Sequence, residues 1–105
     1  MTRGDVFRLP APRGARGVEQ RGPRYAVVVQ ADEFAALSTV VVAPTSTSVR
    51  PASFRPVVEV GGTSTRVLVE QLRAIDPQRL GRPAGRLTWT ELDAVDRALR
   101  VILAL

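Results

Sequence analysis

The chain has 105 residues, 45% of them apolar, which is enough for one modest globular core and too much for a disordered segment. Its net charge is +5, and all 15 basic residues are arginine. There is no histidine and no cysteine, which excludes disulfides, thiolate chemistry, the Ser-His-Asp triad and the usual transition-metal ligands.

One domain spanning 1–105 is expected from the length. No apolar run approaches the roughly 20 residues of a membrane span. The start, Met1-Thr2-Arg3-Gly4-Asp5, lacks the apolar stretch of a secretory signal, so a cytoplasmic protein is expected. Charge carried wholly by arginine suits a phosphate-rich partner, because its planar fork matches phosphate oxygens in pairs.

In chain order, Asp5 to Leu9 alternates polar and apolar residues and reads as a first strand. Residues 10–23 hold three prolines, three glycines and Arg13, Arg16 and Arg21, and form a loop long enough to suggest a working role. Tyr25 to Gln30 reads as a second strand with β-branched valines at its centre. Asp32 to Leu37 allows one helical turn. Thr39 to Ala43 reads as a third strand buried on both faces, followed by a hydroxyl-rich loop from Thr45 to Pro51.

Phe54 to Val60 is a fourth expected strand, Gly61-Gly62 a turn, and Arg66 to Ile75 a fifth strand. Asp76-Pro77 has the form of an N-cap with proline at the first helical position, predicting a short helix or 3₁₀ turn. Gly85 to Leu87 ends a sixth strand. Thr88 and Glu91 form a Thr-x-x-Glu capping box. Beyond it Trp89, Leu92, Val95, Leu99, Ile102 and Leu103 recur at helical spacing, with Asp93/Arg97 and Asp96/Arg100 as i,i+4 pairs. The expected architecture is mainly β with one C-terminal helix over about 88–103, a small SH3-like, partly open barrel of five to seven strands.

Candidate polar sites follow from the same pass. Glu19 and Arg24 sit on a Gly/Pro-punctuated loop feeding the second strand, Gly17-Val18-Glu19-Gln20-Arg21-Gly22-Pro23-Arg24. Arg24 can place donors on phosphoryl oxygens, Glu19 is the nearest candidate base by sequence, and Ser46 or Thr45 can hydrogen-bond a phosphate oxygen. With no histidine to activate it, neither hydroxyl reads as a nucleophile. Glu70, at a strand end, pairs readily with an arginine such as Arg73. Tyr25 and Phe7 could stack a base, although core packing suits both better.

These motifs, taken together, resemble the MazF/PemK-type toxins, with their Kid/CcdB-like fold. Arg3-Gly4-Asp5-Val6 is similar to that family's opening, and Glu19-Gln20 with Arg24 to its loop and second-strand start. Pro44-Thr45-Ser46-Thr47 is similar to its Pro-apolar-Thr-Ser. Val69-Glu70-Gln71-Leu72-Arg73-Ala74-Ile75-Asp76, then Gln78-Arg79-Leu80, resembles its Glu-Gln-Ile-Arg-Thr-Ile-Asp…Arg-Leu block, and Gly85-Arg86-Leu87 with the terminal helix completes it.

The resemblance implies a metal-independent, cofactor-free endoribonuclease that cuts single-stranded RNA, works as a homodimer and is held by a MazE-like antitoxin. It gives Arg24 the central catalytic role, with Ser46 and Glu19 beside it. Gln20, Arg21, Arg13, Arg16, Thr45, Thr47, Glu70 and Gln71 are implied RNA contacts. Ser46 stands where the family has its active-site threonine, and a slip of one residue would put Thr45 there. Tyr25 replaces the usual proline, and Leu68 stands where some members carry arginine. The rival reading is a non-enzymatic relative, either a gyrase-poison type or a catalytically dead RNA-binding barrel. The gyrase-poison type relies on a C-terminal Trp-Gly-Ile, whereas this chain ends Ile102-Leu103-Ala104-Leu105.

Overall fold

The computed structural model describes residues 1–10 and 24–105. The strands are β1 (Asp5–Arg8), β2 (Tyr25–Val28), β3 (Val40–Ser46), β4 (Val57–Val60), β5 (Thr63–Val67), β6 (Arg73–Ile75) and β7 (Pro83–Arg86). They form one antiparallel sheet in the order β4-β5-β3-β2-β1-β7, with β6 also paired to β3. The two ends of that order, β4 and β7, lie against each other, so the sheet curls into a half-barrel. One helix, α1 (Trp89–Leu103), follows. The mainly β, partly open barrel with a C-terminal helix is therefore what the chain forms.

β3 organises the sheet by changing partners along its length. Val40 to Val42 pair with β6, whereas Thr45 and Ser46 pair with β5. Pro44 sits at the changeover, where its missing N–H interrupts no ladder, and its carbonyl accepts from Leu68 N at 2.8 Å. This corrects the expected hydroxyl-rich loop: Thr45 and Ser46 belong to the strand.

The expected fifth strand is likewise two. β5 ends at Val67, a 3₁₀ turn spans Val69–Gln71, and β6 begins at Arg73. The fourth strand starts at Val57, after Pro56, rather than at Phe54. Gly61 and Gly62 have φ of 59° and 82°, as a two-residue hairpin turn of mirror-image type requires. Asp76 caps the 3₁₀ turn Pro77–Arg79, its Oδ1 accepting from Gln78 N at 2.9 Å.

Two apolar layers flank the sheet. The larger joins Val6, Val27, Ala43, Val58, Val67 and Val69 to Val95, Ala98 and Leu99 of α1. The smaller, on the opposite face, holds Leu9, Ala26, Val28, Val40, Val42 and Ile75, with Phe7 and Leu80 packed on it. Alternation along β2 and β3 sends successive side chains to these two layers. Phe7 and Tyr25 both pack on core layers, and the Arg8 guanidinium lies 5.8 Å from the Tyr25 ring centroid.

The α1 capping box forms in full: Thr88 Oγ1 accepts from Glu91 N at 3.1 Å, and Thr88 N donates to Glu91 Oε1 at 2.9 Å. The other Glu91 oxygen accepts from Glu59 N at 2.8 Å, so the cap also ties the helix start to β4. Asp93 and Arg97 pair as expected, at 2.8 Å. Asp96 pairs instead with Arg3, at 2.6 Å, fastening the N-terminus to the helix.

Candidate active site

β2 begins beside Arg24, and neighbours on both sides hold its backbone there. Leu9 N donates to the Arg24 carbonyl at 3.0 Å, and Tyr25 N donates to Thr45 Oγ1 at 3.1 Å. Ala26 is paired with Pro44, and continuing that register by two residues sets Arg24 opposite Ser46. Residues directly opposite in an antiparallel pair share a face. Arg24 and Ser46 therefore lie on the face of Ala26, Val28 and Val42, the one away from α1.

β5 extends this row, since Ser46 pairs with Arg66 and Arg66 with Val57. Arg24, Ser46, Arg66 and Val57 thus line up across four strands. Arg73 joins them from β6, opposite Val42 on the same face. One end of this face is apolar and packed; the other carries Arg24, Arg66 and a hydroxyl, and Arg73, set in the Val28–Val42 row, is near enough for its charge to act on Arg24. An open cavity of about 150 Å³ adjoins Ser46, lined also by Thr47, Val57, Ser64, Thr65 and Arg66.

Arg24 is half-buried, and its Nε is sequestered with no hydrogen-bond partner among the described residues. Burial first, and then the nearby Arg73 charge, lower its pKa below the ordinary guanidinium value. Both effects make Arg24 a readier proton donor than a solvated arginine. They also make it a guanidinium in want of an anion, since a buried charge without a partner is costly.

The two hydroxyls divide. Thr45 is 0% exposed, and its oxygen is occupied by the Tyr25 amide. Thr45, one of the expected RNA contacts, lies on the helix side of the sheet and braces the strand pair. Ser46 is 5% exposed, and its Oγ accepts from Ser48 N at 3.2 Å. Its own O–H is therefore left to donate, with the Ser48 hydroxyl at 3.2 Å as its present neighbour.

Glu70 pairs with Arg55 rather than with Arg73. Its Oε2 accepts from Arg55 Nε at 2.9 Å and lies 2.8 Å from Arg55 NH2. Arg55 also donates to the Arg50 carbonyl at 3.0 Å, and its own carbonyl accepts from Arg66 NH1 at 2.8 Å. Thr47 and Gln71 are exposed, the first beside the cavity and the second on the 3₁₀ turn. Glu19, Gln20, Arg21, Arg13 and Arg16 lie outside the described residues. Sequence reasoning missed Arg66 and Arg55, because their placement depends on the β3–β5 register and on no local pattern. Among the described residues, no group of three acidic, histidine or cysteine side chains is placed to hold a metal, and no helix is long and apolar enough to cross a membrane.

The family of PemK-like, MazF-like toxins of type II toxin–antitoxin systems matches residues 2–103. A candidate toxin of Mycobacterium tuberculosis is 44% identical over 104 residues, covering 98% of this chain and 97% of the relative. Endoribonuclease MazF9 of the same organism is 34% identical over 116 residues, covering 100% of this chain and 98% of the relative. A mycobacterial endoribonuclease, solved in complex with its cognate antitoxin, superposes with a TM-score of 0.81 at 18% identity, covering 100% of this chain and 96% of that one. The chain belongs to the PemK-like, MazF-like toxin family of type II toxin–antitoxin systems.

Proposed function

We propose that this toxin is an endoribonuclease that cuts single-stranded RNA without a metal ion, using the substrate's own 2′-OH as nucleophile. The 2′-oxygen attacks the adjacent phosphorus, the bond to the 5′-oxygen of the next nucleotide breaks, and the products carry a 2′,3′-cyclic phosphate and a 5′-OH. The protein's work is to align that attack, stabilise charge on the non-bridging oxygens and manage two protons.

The observation that carries the reading is the cross-strand placement of Arg24 and Ser46, with the Arg24 Nε unpartnered among the described residues. Arg24 supplies the fork of donors to the phosphoryl oxygens and the proton for the departing 5′-oxygen. Ser46 donates to a non-bridging oxygen. Glu19 is the proposed base for the 2′-OH. The named activity of the relative MazF9 supports the same reaction class.

Partners follow from the same reading. A homodimer is proposed, with an RNA groove between protomers. A MazE-like antitoxin with an acidic, apolar-anchored segment is proposed to compete for the arginine-rich face. A cytoplasmic location fits an RNA target.

Purified protein incubated with a long RNA, with and without EDTA, tests the reaction. Cleavage that persists in EDTA, leaves cyclic phosphate ends and spares a substrate with 2′-deoxy at the cut is expected. Loss of activity in EDTA, or normal cutting of the deoxy substrate, overturns the chemistry. Intact RNA that is nevertheless bound points to the non-enzymatic alternative.

A further inference from the structure

We propose that Arg66 and the cavity beside Ser46 form a second subsite, which takes the RNA phosphate next to the scissile one; this rests on the endoribonuclease reading. Arg24 and Arg66 stand on strands to either side of Ser46. Strands lie about 4.8 Å apart, so the two backbone positions are about 10 Å apart, with the hydroxyl between them. Arg66 NH1 is bonded to the carbonyl of Arg55, on the segment leading into β4 and so on the side away from Arg24, which suits the two forks to consecutive groups along a strand of RNA rather than to one phosphate.

Arg66 is also aimed. Its NH1 donates to the Arg55 carbonyl at 2.8 Å, which sets the guanidinium plane. Arg55 is itself held by Glu70 and by the Arg50 carbonyl. The remaining Arg66 donors have no carboxylate partner among the described residues, and Arg66 lines the cavity together with Ser46 and Ser64. Glu70 is neutralised by Arg55. The one carboxylate that register places on this face nearby is Glu59, opposite Ser64, at the far side of the cavity from Arg24. A fixed fork, hydroxyl donors and a local excess of positive charge together recognise a phosphate diester.

The test uses an uncleavable oligonucleotide with 2′-deoxy at the cut, and the variants Arg66→Gln and Arg66→Lys. Gln keeps an amide donor for the Arg55 carbonyl while removing the charge. For Arg66→Gln the dissociation constant should rise about tenfold, as for a lost charge-assisted hydrogen bond. The dependence of log K on log salt should flatten by about 0.7, the value of one phosphate contact on a single strand. Steady-state cleavage should show the loss mainly in KM, and Arg66→Lys should recover most of the salt dependence.

Oligonucleotides with one neutral methylphosphonate linkage locate the contact. The linkage next to the cut should weaken wild-type binding and leave Arg66→Gln indifferent. If Arg66→Gln binds and cleaves like the wild type while Arg24→Met does not cleave, the subsite is wrong and the nuclease reading stands. If the loss falls on kcat alone, Arg66 acts on the reacting phosphate and the neighbouring assignment is overturned. If the wild type neither binds nor cuts RNA, the endoribonuclease reading fails first. Should Arg66→Gln melt early, Arg66→Lys with the methylphosphonate series decides the matter.

Discussion

The Thr45 hydroxyl accepts the Tyr25 amide proton at 3.1 Å, and this bond sits one residue from both Arg24 and Ser46. It closes the ladder between β2 and β3 at the point where backbone pairing ends. The candidate site is thus built on the ends of two rigid strands, with the peptide group that follows its arginine held from both sides, by Leu9 N and by Thr45 Oγ1. Rigid placement matters for phosphoryl chemistry, where small displacements of a donor are costly.

Thr45 and Ser46 should separate cleanly on mutation. Thr45→Val keeps the shape but strands the Tyr25 amide, so stability should fall by about 1–3 kcal/mol. Ser46→Ala should leave the melting temperature nearly unchanged and lower kcat roughly tenfold, as for one neutral hydrogen bond. Thermal melts and single-turnover cleavage of both variants check this. A folded, stable Thr45→Val with the larger catalytic defect would move the active hydroxyl by one residue.

Arg24→Met should lose about 10²–10³-fold in kcat, the usual loss for one preorganised donor. Its melting temperature should hold or rise. Burial and Arg73 both disfavour the Arg24 charge in the fold, so removing that charge relieves the native state. A sharp loss of stability in Arg24→Met would instead make Arg24 a structural residue.

The pH–rate profile should carry no histidine step between roughly pH 6 and 8, because the chain has no histidine. Activity should fall on the alkaline side as Arg24 gives up its proton, at a pH below that of an ordinary arginine. Arg73→Gln removes a repelling charge, raises the Arg24 pKa and should move that alkaline limb upward. Rate profiles of wild type and Arg73→Gln, corrected for spontaneous RNA hydrolysis, measure the shift.

Arg55 and Glu70 form a partly buried pair, with side chains 23% and 24% exposed. Breaking it with Glu70→Gln should cost about 1–3 kcal/mol, between the worth of exposed pairs and that of buried ones. Because Arg55 also holds the Arg50 carbonyl, the loss should appear as faster amide exchange across residues 47–56. Unchanged exchange there would show that the loop is braced by other contacts.

Much of this protein was legible locally. The Thr88/Glu91 box, the helix that follows it and the Asp76-Pro77 cap are short-range signals, and each formed as read, although of the apolar stripe Val95 and Leu99 are buried while Trp89 is 88% exposed. The Gly61-Gly62 turn was equally plain, since few other residues accept its backbone angles. The family, too, was carried by motifs in chain order. Arg24 was visible as a basic residue at the start of a strand.

What only the tertiary structure decided depends on which strands meet. Pro44 reads locally as a break, yet it sits inside β3 because the strand exchanges β6 for β5 there and needs no N–H from it. Asp96 reads as a partner for Arg100, yet Arg3 reaches it from 93 residues away and takes the pair. Thr45 and Ser46 are adjacent hydroxyls in the sequence, and the alternation of the strand sends one into the brace and the other to the face away from α1, beside the cavity. Arg66 meets Ser46 only through the β3–β5 register. Composition and periodicity follow from neighbours along the chain, whereas register follows from packing the two apolar layers, and it is register that assembles the site.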